Sequence, residues 1–155
     1  MENVVYTSWS GFTTGELGDV AARIADLKRT TGRPVVYVAR IPGGGPAFTA
    51  DEQAVLLEYL NEILPFCAAL HHVIEGDGFV KSARLAAVNN FARATSRARD
   101  FVVHETLDGA FAAIRAAHGV DLRDKRTNPP PGTERASSAF RAAARIAEGK
   151  KPRKD

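Results

Sequence analysis

Four histidines, one cysteine and two glycine-containing loops are the residues of this chain whose types could support chemistry. His71 and His72 are adjacent in an apolar run, LHHVI. On a strand they point to opposite faces, so they cannot chelate one metal together. His104 and Glu105 close a second apolar run, FVVHE. In a parallel sheet His72 could lie beside them, bringing an imidazole and a carboxylate together for acid–base work. No nucleophile or oxyanion donor accompanies them, so no catalytic residue is assigned. His118 stands apart near the end of the last helical stretch. Cys67 is the single cysteine and can neither form an internal disulfide nor complete a cysteine-based zinc site. Following Pro65-Phe66, it reads as a small buried hydrophobe. Neither a metal nor a cofactor is expected.

The glycine loops are the alternative. Pro42-Gly43-Gly44-Gly45-Pro46 leads from a strand toward a helix, the general setting of a phosphate-binding loop. It lacks the Lys-Ser/Thr ending of a P-loop and the spacing of a dinucleotide fingerprint. A capping box, Thr49-Ala50-Asp51-Glu52, already occupies the helix start. The composition therefore predicts a flexible surface loop, although it lies at a strand's carboxyl end, where open α/β sheets bind ligands. Gly76-Asp77-Gly78 also ends a strand and starts a helix, with Lys81 and Ser82 in its first turns. Asp77 would repel an anion there, so the spacing predicts a tight turn whose aspartate caps the helix. A ligand at this edge would meet Gly43, Gly44, Gly45, Thr49, Asp51 and Asp77.

The elements that must position these residues alternate along the chain. Val4 to Trp9 is rich in β-branched and aromatic residues and predicts a first strand. Thr13 and Glu16 form a capping box before Leu17, Val20, Ala21, Ile24 and Leu27, an apolar stripe at helical spacing that Gly32 and Pro34 stop. Pro34 to Ile41 predicts a central strand. Val55, Leu56, Tyr59, Leu60, Ile63 and Leu64 form the inner face of a second helix, whose outer face is acidic from Asp51, Glu52, Glu58 and Glu62. Leu70 to Glu75, about Phe79 to Ala94, Asp100 to His104 and about Leu107 to Ala117 then predict strand, helix, strand, helix. Continuous apolar runs joined by helices at this spacing are the sign of parallel strands covered on both faces. The third helix is basic where the second is acidic, with Lys81, Arg84 and Arg93. Tyr6, Trp9 and Phe12 give the start of the chain a high aromatic density, fitting either core packing or an exposed patch.

Length and composition agree with one domain and an appendage. The chain has 155 residues, 45% hydrophobic and 25% charged, within the soluble globular range. No apolar run approaches the ~18 residues of a membrane span, and MENVVYTSW lacks the basic start and long apolar stretch of a secretory signal. A cytoplasmic location is expected. The net charge of +3 conceals an asymmetry. Residues 1–119 carry eleven Lys/Arg against thirteen Asp/Glu, while residues 120–155 carry ten against five. After Gly119 the segment LRDKRTNPPPGTER is nearly devoid of apolar residues and favours an extended, solvated chain. A boundary at about residue 120 follows, with a basic tail of net +5 and a possible short helix at 133–148.

The order of four strand–helix units resembles the STAS family, the anti-sigma-factor-antagonist-like domains, and the related SpoIIAA-like group. The likeness is clearest over Val35 to Ile114, where a hydrophobic strand, a glycine-containing loop and a helix precede HHVIEGDGF. FVVHETLDGAFAAI looks like those families' closing strand and short helix. The resemblance implies a single α/β domain with about four mainly parallel strands and four helices. Signalling members carry a phosphorylatable serine at the start of the second helix. Thr49-Ala50-Asp51-Glu52 stands there in this chain, so the scaffold carries over without that serine motif.

These readings predict a non-catalytic regulatory or scaffold domain acting through contact with a protein partner or a second copy of itself. Glu58 and Glu62 on one helix and Lys81, Arg84 and Arg93 on the next would form its contact surface. A small ligand at the carboxyl edge is the alternative. A third reading, nucleic-acid association through the basic tail, lacks aromatic interleaving and any DNA-reading motif.

Overall fold

The computed structural model describes residues 3–122; the basic tail and the helix expected at 133–148 lie outside the described residues. Four strands, β1 (Val4–Ser8), β2 (Val35–Ile41), β3 (Cys67–Ile74) and β4 (Phe101–His104), alternate with four helices. These are α1 (Thr14–Thr31), α2 (Ala50–Ile63), α3 (Gly78–Ala94) and α4 (Leu107–His118). The strands form one sheet in the order β1-β2-β3-β4, and all three pairings are parallel. The expected α/β class is the observed one.

Local chemistry sets the ends of the helices. Thr13 and Thr49 both form the full capping box, with Glu16 and Glu52 returning a carboxylate to the cap backbone, which satisfies amides the helix leaves unpaired. Gly32 and Gly119 close α1 and α4 in the left-handed conformation that glycine adopts without a Cβ penalty. β3 starts at Cys67, three residues earlier than its apolar run suggests. Cys67-Ala68-Ala69 has little strand propensity and is recruited by pairing with β2, where the register slips between Val35 and Val36.

Side-chain alternation divides the core. Val35, Tyr37, Ala39 and Ile41 of β2 pack with Leu70 and Ile74 of β3 beneath Leu17, Ile24, Leu60, Ile63, Val88 and Phe91 of α1, α2 and α3. Val36, Val38 and Val73 face the opposite way and are covered by Ala110, Phe111 and Ile114 of α4. Three successive crossovers of one hand place three helices on one face; α4, with no further strand to lead to, folds back over the other. Leu122, 1% exposed, belongs to this smaller core, so the packed chain runs just past the boundary expected at about residue 120.

Candidate functional site

The carboxyl ends of β2 and β3 carry the two glycine loops, and these are stitched together. Glu75 donates its amide to the Ile41 carbonyl at 3.0 Å, and Arg40 grips both carboxylate oxygens of Glu75 at 2.9 and 2.8 Å. A Cβ on Gly43 would lie 3.0 Å from the Gly76 Cα, so the two loops touch backbone to backbone. Gly76 adopts φ 95° and Gly44 φ 89°, left-handed conformations that exclude most side chains.

Arg84 corrects an expectation. Placed by sequence on the basic outer face of α3, it is instead 6% exposed. Its guanidinium donates to the carbonyls of Pro42 at 2.9 Å, Gly44 at 2.7 Å and Pro46 at 3.1 Å. A planar fork of five donors can serve several acceptors at once, so one side chain pins the Pro42–Pro46 loop against α3. Burial pulls the Arg84 pKa below its ordinary value. The loop that composition predicts to be flexible is held.

The other expected residues are dispersed. Thr49 is occupied as a helix cap, and Asp51, Glu58 and Glu62 are exposed along α2. Asp77 is at the N-cap position of α3 but makes no capping bond, so the expected aspartate cap is not formed. Lys81 lies 3.6 Å from the exposed Glu105, and Arg93 is exposed. The α2 and α3 helices do share a face of the sheet, but with Arg84 turned inward the basic half of the expected contact surface shrinks to Lys81 and Arg93. Phe79, in the first turn of α3 and beside Gly78, is 84% exposed. Sequence periodicity gave no reason to single it out.

Beneath the rim, between the sheet and α1, α2 and α3, is a cavity of about 40 Å³ lined by Trp9, Phe12, Phe48, Tyr59 and His72 among others. A recess of about 60 Å³ shares Trp9, Phe12 and Phe48 with it and reaches Arg84 and Glu52. The aromatic start of the chain thus serves the core on two faces: Trp9 and Phe12 here, and Tyr6 edge-on to Phe111 on the α4 side. The Tyr37 hydroxyl accepts from Trp9 Nε1 at 3.0 Å and lies 2.9 Å from Thr7 Oγ1. Tyr59 Oη and His72 Nδ1 are buried without a hydrogen bond of normal length, and the Tyr59 hydroxyl interacts with that of Tyr37 and His72 with the Leu70 backbone. Burial, reinforced by His71, lowers the His72 pKa to about 4, which leaves the ring neutral at neutral pH.

The histidine arrangement also differs from expectation. Register pairs Val73 with His104, so the side chain that reaches His104 is the one sharing Val73's face, which is His71 and not His72. His71 Nδ1 lies 2.9 Å from His104 Nε2 with the rings stacked, and His118 packs edge-on to His71 with ring centroids 6.2 Å apart. His72 stacks on Phe101 across the sheet. Among the described residues no group of three or more His, Cys, Asp or Glu side chains is arranged to hold a metal ion. Cys67 is buried, and burial pushes its thiol up to about 12, as suits a packing residue and not a nucleophile. No described helix is long and apolar enough to cross a membrane. Comparison of the chain with protein-family models, with curated proteins and with solved structures returns no match.

Proposed function

We propose that the chain is a non-catalytic regulatory or scaffold domain that recognises a protein partner with the carboxyl rim of its sheet. The observation that carries the reading is Phe79, an aromatic ring 84% exposed beside loops that Arg84 and the Gly43–Gly76 contact hold in place. Exposed aromatic side chains that become buried dominate the energetics of many interfaces, and a surface that is already ordered loses less entropy on docking. The resemblance to STAS domains supports a role in protein contact. The exposed Asp51, Glu58 and Glu62 on the neighbouring α2 favour a partner with a basic flank.

Affinity capture from the source cells, followed by mass spectrometry, tests this with Phe79→Ser as the matched control. A protein retained by the native chain and lost with Phe79→Ser supports the reading. An identical retained set for both proteins overturns it. Sedimentation of the purified chain separates a distinct partner from self-association, which Glu58→Lys with Glu62→Lys would weaken if acidic and basic helices pair between copies.

A further inference from the structure

The α3 helix is the end member of its layer. It leads from β3 to the edge strand β4 and packs beside α2, so its far side meets solvent. Arg84, Ala87, Val88 and Phe91 are its buried side. Phe79, Ser82, Ala86, Asn89 and Arg93 are all exposed, at steps of three, four, three and four residues. That alternation makes one straight row along a helix, the spacing of a helix–helix seam. The other cations of α3, Lys81 and Arg84, are engaged by Glu105 and by the Pro42–Pro46 loop. Arg93 has no ion pair among the described residues.

We infer that this outer face of α3 docks against the same face of a second copy of the chain, the two helices antiparallel about a two-fold axis. The inference rests on the reading that Phe79 is a contact residue, and names what it contacts. An isologous interface needs one patch that holds both a projection and the recess that receives it. Here the projection is Phe79 in the first turn, and the recess is the space between Ala86, Asn89, Asn90 and Arg93 further along the helix. With the axis between Ser82 and Ala86, each ring enters the other copy's recess as a knob enters a hole of four side chains. Ser82 and Ala86 stand at the crossing, where small side chains let the backbones approach. The Phe79 ring, 84% exposed in the single chain, gains the Arg93 stem and a cation over its face. No carboxylate stands on the row, so a basic partner gains nothing there. The two Arg93 cations are at opposite ends of the seam, and each helix's amino end lies beside the other's carboxyl end, which suits their dipoles. A single helix seam is smaller than the ~800 Å² per partner of stable complexes, so the dimer is a weak one.

Sedimentation of the full-length chain from about 10 µM to about 1 mM, the span of weak complexes, should show a monomer passing reversibly to a dimer. Ala86→Glu sets two carboxylates close together at the crossing, and Phe79→Ser removes the projection. Each should weaken association about 10-fold or more, with thermal unfolding near native because both positions are exposed. Ala22→Glu, the same change on the exposed side of α1, should leave association as it is. A chain that stays monomeric throughout overturns the inference. So does a dimer that tolerates Ala86→Glu or Phe79→Ser, or one that Ala22→Glu weakens equally. A monomeric chain whose Phe79→Ser variant still loses a captured protein overturns this inference alone; affinity capture, and not sedimentation, decides the partner reading.

Discussion

His71 Nδ1 lies 2.9 Å from His104 Nε2, across two strands and on the face that α4 covers. At that distance one nitrogen donates and the other accepts, so the pair holds together only while at least one ring is neutral. Burial first, then the neighbouring histidines His104 and His118, lowers the His71 pKa to about 4, and burial lowers that of His104.

Stability should therefore depend on pH in one direction. An unfolded histidine titrates near ~6.5, while folded His71 and His72 titrate near about 4. Above the unfolded value both states are neutral and the native fold has its full stability. Between the two values the unfolded chain takes up protons that the native one refuses, so stability falls as pH falls. For the fully buried His72 the loss is of order 3 kcal/mol. Thermal unfolding followed from pH 8 to pH 4 should show a Tm that is flat at first and then declines from about pH 6.5. His71→Gln should make the decline shallower, and a Tm independent of pH across this range would contradict the assignment.

Arg84→Lys should not rescue Arg84→Ala. A lysine ammonium is a point donor on a flexible stem and cannot span the Pro42, Gly44 and Pro46 carbonyls as the guanidinium does. Both variants should lose about 2–3 kcal/mol in urea unfolding, since each gives up charge-assisted hydrogen bonds that tie the loop to α3. Both should also become more susceptible to proteolysis within Pro42–Pro46. Near-native stability and protection in Arg84→Lys would show the fork to be unnecessary.

Two glycines should respond to alanine with opposite signs. A Cβ at Gly43 would sit 3.0 Å from backbone Gly76 Cα and 3.2 Å from its amide nitrogen. Neither is a flexible side chain that can yield, so Gly43→Ala should cost about 1–3 kcal/mol. Gly18 is inside α1, and nothing lies within 4 Å of its added Cβ. Gly18→Ala should stabilise by about 0.5–1 kcal/mol through helix propensity. Chemical denaturation of the two variants side by side checks both the sign and the contrast.

Leu122 tests where the packed domain ends. Its side chain is 1% exposed against the α4 side of the sheet. Leu122→Ala should cost about 2–4 kcal/mol, and a chain cut after residue 119 should melt below one cut after residue 122. Equal melting temperatures would place Leu122 outside the cooperative unit.

Sequence alone determined the α/β class, the alternation of four strands and four helices, and both capping boxes. These features are written in local signals: β-branched runs, apolar residues at helical spacing, and Thr-x-x-Glu pairs whose partners are three residues apart. It also showed that His71 and His72 face opposite ways, because alternation along a strand is a backbone property. Tertiary structure decided everything that depended on register and crossover. Which histidine met His104 turned on a one-residue alignment between β3 and β4, to which the identity of either run is indifferent. Arg84 reads as one more charge on a basic helix until the Pro42–Pro46 loop folds over it, and its partners are carbonyls 38 to 42 residues away that every sequence possesses. The cavity lined by Trp9, Phe12, Phe48, Tyr59 and His72 is similarly invisible in one dimension, since its walls are assembled from several elements of the fold. Composition made the glycine loop look free; a long-range contact, and nothing local, holds it.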